Sequence, residues 1–115
     1  MKSNINASDL TRPGIIEYVT FPALPDIQDY EIINALEITD AVLNNIDGFI
    51  HRYCSQQDDG FWAETVFWRD REAAESGLKV FLADPRSQSL LQLIDSQNVV
   101  IRYSEVFAGN AGLSI

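Results

Sequence analysis

Apolar residues recur along the chain at two alternating spacings. Residues 14–21 (Gly-Ile-Ile-Glu-Tyr-Val-Thr-Phe) are rich in β-branched and aromatic side chains and read as a strand. Pro22 and Pro25 end it, because proline cannot donate to a ladder. From Asp26 or Asp29, either of which can cap a helix, the spacing predicts a helix to about residue 45, with Ile32, Leu36, Leu43 and Ile46 on one face. Gly48 suits the helix end or the entry to the next strand. Two further strands are predicted over 49–55 and 61–68. Between them stands Gln-Gln-Asp-Asp-Gly, whose Asp59–Gly60 pair favours a tight hairpin. Asp70 then caps a second helix with Glu72 at its positive end, Ala74, Leu78, Phe81 and Leu82 on its apolar stripe, and Pro85 as its stop. A short helix over 87–95 and a last strand over 98–107 complete the pattern.

Strand, helix, hairpin, helix, strand is the split βαβ order, so the expected class is α+β, a ferredoxin-like βαββαβ domain. Right-handed crossovers put both helices on one face of a four-stranded antiparallel sheet. The opposite face is not wholly polar on any strand, and pairing with a second copy is the simplest way to cover it. The expected division is an N-terminal arm over 1–13, the domain over 14–107 and a C-terminal tail over 108–115.

Strand alternation then sorts the candidate chemistry. An even-length hairpin loop puts His51 and Tyr53 on the same face as Trp62, Glu64, Val66 and Trp68, with Arg52 and Cys54 on the other. Such a gathering of indole, phenol, imidazole and carboxylate suits the border of a ligand cavity, although edge-strand surface and ordinary aromatic packing have the same look. Glu64, mid-strand between apolar neighbours, is a candidate general base if burial raises its pKa; pairing with Arg52 or Arg102 is the plainer alternative. His51, the sole histidine, is a second candidate for proton handling. Tyr18 and Tyr103 on the outer strands can also reach such a pocket. Glu17, Arg102 and Glu105 read as cross-strand or intersubunit pairs.

Composition narrows the functional classes. In 115 residues, 17 acidic side chains stand against 8 basic ones, a formal charge of −9, which opposes binding to nucleic acid or to anionic membrane surfaces. Cys54 is the single cysteine, so no internal disulfide can form, and a cytoplasmic location is expected. No apolar run has the length of a membrane span, and residues 1–13 lack the apolar stretch of a signal peptide. One Cys and one His cannot build a structural zinc site of the usual kind, and phosphate loops, nucleophile elbows and paired-cysteine motifs are missing. No metal or cofactor is expected.

The order of elements, the chain length and the stretch Glu-Thr-Val-Phe-Trp-Arg-Asp-Arg-Glu-Ala-Ala (residues 64–74) resemble the antibiotic-biosynthesis-monooxygenase superfamily of dimeric α+β barrels. The resemblance implies a homodimer with a pocket between sheet and helices in each subunit. It also implies that Trp68 matches a pocket tryptophan and that Tyr18 falls near a position where some members carry asparagine. Haem-degrading members place a histidine on the second helix where this chain has Leu78, so haem is not implied.

The leading expectation is a small-molecule-binding dimer, as a cofactor-independent monooxygenase of an aromatic or quinol-type substrate. Glu64 or His51 would handle the proton, and Trp68, Tyr18, Tyr53 and Trp62 would line the substrate site. The alternatives are a non-catalytic ligand-binding or sensing protein, and a structural dimer.

Overall fold

The computed structural model describes residues 12–110. The chain runs β1 (Ile15–Phe21), α1 (Asp29–Leu43), β2 (Phe49–Gln56), β3 (Trp62–Trp68), α2 (Arg71–Ala83), a 3-10 turn (Pro85–Ser87) leading into the short α3 (Gln88–Leu91), a second 3-10 turn (Ser96–Asn98) and β4 (Val100–Glu105). The four strands form one antiparallel sheet in the order β2-β3-β1-β4. This is the expected ferredoxin-like α+β arrangement. Of the arm expected over 1–13, all but Arg12 and Pro13 lies outside the described residues, as do residues 111–115 of the tail.

Helix starts follow their caps. Asp70 accepts the Ala73 N–H at 2.8 Å and opens α2, as expected. The first helix begins differently: Gln28 is its cap, and its N–H donates to Glu31 Oε2 at 2.8 Å. Asp29 is already helical, and Asp26 sits in the preceding turn at φ 69°, in the left-handed region that Asp tolerates. The predicted helix over 87–95 shortens to Gln88–Leu91, because Ile94 leaves it to bridge Ala23.

The hairpin corrects the face assignment. Gln56 pairs with Trp62, so the loop holds five residues, 57–61, rather than an even number. The Gly60 N–H closes a turn on the Gln57 carbonyl at 2.9 Å, and Gly60 alone takes the positive φ, at 88°. Asp59 instead uses its carboxylate, which accepts the Phe61 N–H at 2.9 Å. An odd loop reverses the partnership: Arg52, Cys54 and Gln56 face the same way as Val66, Glu64 and Trp62, whereas His51 and Tyr53 stand with Phe67 and Thr65. A bulge between Phe49 and His51 then brings Phe49 opposite Trp68, with their rings 5.7 Å apart, edge to face.

Helices cover the face that carries Ile15, Glu17, Phe21, Trp62, Glu64, Val66 and Trp68, all of them buried. The core is split in two. Phe21, Ile32, Leu36, Trp62 and Leu90 form one cluster, Ile15, Leu43, Val66, Trp68 and Ala74 the other, and Phe81 packs against both. The indole of Trp68 lies against Gly77 of α2, where a Cβ would collide with its ring. In an exposed helix Gly→Ala stabilises by about 1 kcal/mol. Here Gly77→Ala should lower stability by about 1–2 kcal/mol, because overpacking outweighs propensity. Urea unfolding with tryptophan emission checks this, and a gain in stability would show that the indole yields freely.

Candidate functional site

Between the two core clusters lies a cavity of about 300 Å³. Its sheet wall carries Glu17, Val19, Glu64, Val66 and Trp68, and its helical wall is apolar, built from Leu78, Phe81, Leu90 and Leu91. Leu82, Ser96 and Ile101, all exposed, rim its mouth. A nearly all-apolar enclosure with a few polar groups on one wall is the usual form of a small-molecule site.

Trp68 and Glu17 form a unit within it. The Trp68 Nε1–H donates to Glu17 Oε1 at 2.8 Å, with both residues buried. Burial pushes the Glu17 carboxyl above its ordinary 4.5, the indole N–H opposes that shift, and the nearby charge of Glu64 adds to it. Tyr103, opposite Glu17 on β4, has its phenol raised by burial and then by the Glu17 charge. The guanidinium of Arg71 lies 5.4 Å above the Tyr103 ring.

Glu64 has a different partner. Arg52 Nη1 meets Glu64 Oε1 at 3.1 Å and Thr39 Oγ1 at 2.9 Å, while Nη2 donates to the Leu36 carbonyl and to Asp40 Oδ1, both at 2.7 Å. The Arg52 side chain is 4% exposed and approaches from the α1 side, beside a separate groove. Burial raises the Glu64 pKa and Arg52 pulls it back, leaving it above the ordinary value. The pairing with Arg52 weighed from sequence is therefore formed, made possible by the odd hairpin loop.

Of the six residues singled out from sequence, Glu64 and Trp68 line the cavity. Trp62 is buried in the first core cluster and borders the outer groove beside Arg52. Tyr18, His51 and Tyr53 occupy the opposite face of the sheet, where the Tyr18 hydroxyl accepts from Gln57 Nε2 at 3.0 Å and the His51 and Tyr53 rings meet at 4.4 Å. Glu17 was missed, although its signal was present: it alternates with Ile15, Val19 and Phe21, so it occupies an apolar register as Glu64 does. Leu78, at the position where the resemblance would place a haem-ligating histidine, presents an isobutyl group to the cavity. Among the described residues no helix is long and apolar enough to cross a membrane, and no group of three or more His, Cys, Asp or Glu is placed to hold a metal ion.

No protein-family model matches the chain, and no curated protein matches it in sequence. Solved structures do match. NE2512, a protein of unknown function from Nitrosomonas europaea, superposes with a TM-score of 0.68 at 14% identity, over 90% of this chain and 99% of that one. SnoaB, a cofactor-independent oxygenase from Streptomyces nogalater, matches with a TM-score of 0.59 at 15% identity, over 86% and 96%. A dimeric ferredoxin-like protein from an uncultured marine organism matches with a TM-score of 0.64 at 10% identity, over 94% and 100%. The chain thus shares its fold, a ferredoxin-like α+β domain, with these structures.

The raised Glu17 carboxyl has a measurable consequence. An acid whose folded-state pKa lies above its unfolded value stabilises the fold fully below the unfolded value and loses that contribution as pH rises through the folded one. Asp84, lowered to about 2 by Arg86, and Asp70, lowered by the Ala73 N–H, act in the opposite sense, but only below the ordinary 3.8. Between pH 4.5 and 7, Glu17→Gln should therefore gain stability relative to the parent as pH rises. Urea midpoints at pH 5 and 7 check this; a constant difference would show that Glu17 titrates normally.

Proposed function

We propose that the chain is a cofactor-independent monooxygenase acting on a hydroxylated aromatic or quinol-type substrate held in the cavity. The observation that carries this reading is the buried carboxyl of Glu17, fixed by the Trp68 N–H on the wall of an otherwise apolar enclosure. An apolar site disfavours carboxylate more than it disfavours a delocalised phenolate, so a desolvated Glu17 is a stronger base there than in water. Once it takes the phenolic proton, the electron-rich anion can react with dioxygen at a ring carbon bearing two hydrogens in the keto form. A carbon–oxygen bond forms and gives a hydroperoxide. Loss of water leaves a carbonyl, so one oxygen atom enters the substrate and the other leaves as water. Glu64, neutralised by Arg52, adds a second carboxyl to the same wall. The fold shared with an oxygenase described as cofactor-independent supports the reading.

Oxygen uptake with a panel of anthrones and naphthohydroquinones tests it. Turnover above buffer is expected, with a loss of about 10²–10⁴-fold in Glu17→Gln and a smaller loss in Trp68→Phe. No uptake by the parent protein would remove the oxygenase. Thermal stabilisation by the same compounds without uptake would leave a ligand-binding protein.

The proposed working form is a homodimer closed through the face opposite the helices. Tyr18 is 37% and Tyr53 62% exposed there, and Tyr53 packs edge-on against Phe67 at 6.1 Å, an aromatic surface that a second copy would cover. A fold neighbour described as dimeric supports this. A cytoplasmic setting suits the exposed, unpaired Cys54. Sedimentation should give the two-chain mass for the parent and a one-chain mass for Tyr53→Glu; a parent monomer at tens of micromolar (~10–100 μM) would overturn the dimer.

A further inference from the structure

We propose that the cavity selects by charge, admitting neutral hydroxylated aromatics and excluding their carboxylate counterparts, with Glu17 setting the preference. This rests on reading the cavity as the ligand site and deepens it by naming a substrate class. Two carboxyl side chains, Glu17 and Glu64, stand on one wall, and among the described residues no lysine, arginine or histidine lines the cavity. The cation nearest the wall is Arg52, which already serves Glu64, Asp40, Thr39 and the Leu36 carbonyl from outside the cavity. Both of its Nη groups are committed there, and its side chain does not line the cavity. Arg71 is held over Tyr103 and lies 4.0 Å from Glu75, outside the lining.

An anionic ligand would therefore lose hydration, gain no counter-charge and meet Glu17 across an apolar space, a like-charge contact of the kind that costs heavily. A hydroxyl has the reverse balance: it offers a proton to a buried acceptor, and its ring replaces the missing apolar contacts. The volume, roughly that of ten waters in the liquid, accommodates two fused aromatic rings.

Calorimetric titration at pH 7.5 with 1-naphthol and 1-naphthoate, which match in ring system and differ in charge, tests the inference. The parent protein should bind the naphthol at least about a hundredfold more tightly. In Glu17→Gln, whose amide oxygen can still accept from Trp68, naphthoate should gain about tenfold and the naphthol should not gain. Asp58→Asn, a hairpin-loop residue outside the cavity, should leave the ratio unchanged. The parent ratio alone tests exclusion should Glu17→Gln fold poorly. Naphthoate binding within threefold of the naphthol would overturn the inference, whether or not oxygen is consumed. So would binding of neither compound, or an equal naphthoate gain in Asp58→Asn, which would assign the exclusion to net charge. Selective naphthol binding without oxygen uptake would uphold it while removing the oxygenase reading.

Discussion

The indole of Trp68 is the member on which the interior depends. It is 1% exposed, its ring occupies space that any side chain at position 77 would fill, and its N–H must find an acceptor away from water. A buried N–H left unbonded costs on the order of 1–3 kcal/mol. Glu17 supplies the acceptor from the neighbouring strand, and the bond ties β1 to β3 through side chains as well as backbone. The same bond helps a carboxyl to be tolerated at 4% exposure: one oxygen is satisfied by the indole N–H, which offsets part of the cost of burying it. Where the indole ends, the helix wall continues with Leu78 and Phe81, and the cavity opens between them and the sheet.

Much of this fold was legible in the chain because its signals are local. β-branched runs marked the strands, Asp70 marked the start of α2, and Pro22 and Pro85 marked ends. Trp68 and Glu64 were legible as cavity candidates, both from alternation and Trp68 also from the family resemblance. What misled was the hairpin loop. Asp59–Gly60 marks the hairpin, but Asp59 uses its side chain on the Phe61 N–H and only Gly60 goes left-handed, in a loop of five residues between the paired Gln56 and Trp62. Strand faces depend on the parity of that count, and taking the loop as even exchanged His51 and Tyr53 for Arg52 and Cys54. Glu17 went unread for a different reason: its alternation with Ile15, Val19 and Phe21 was visible, but a carboxylate beside Arg102 and Glu105 in sequence pattern also suggests a surface pair.

Parity also decides whether the buried charges are affordable. With an even loop Arg52 would point to the far face, and Glu64 would stand in the interior without a cation, a situation that costs several kcal/mol. With five residues the guanidinium reaches Glu64, Thr39 and the Leu36 carbonyl together and ends on the exposed carboxylate of Asp40. The two Nη groups thus meet four acceptors, and hydrogen bonding of this kind is what lets a buried ion pair be tolerated.

The two faces of the sheet consequently hold different chemistry. The helix side carries two carboxyls, an indole and an apolar volume that side chains do not fill; the open side carries tyrosines, a histidine and Phe67. Close-packed interiors leave few such spaces, because each one forfeits dispersion contacts along its lining. An apolar ligand that fills this one restores those contacts without disturbing Trp68 or Arg52, since both are already held by protein partners. On the proposed function, binding energy is then available to place a reactive ring against Glu17 rather than to rearrange the wall, and preorganisation of that kind is what an acid–base site requires.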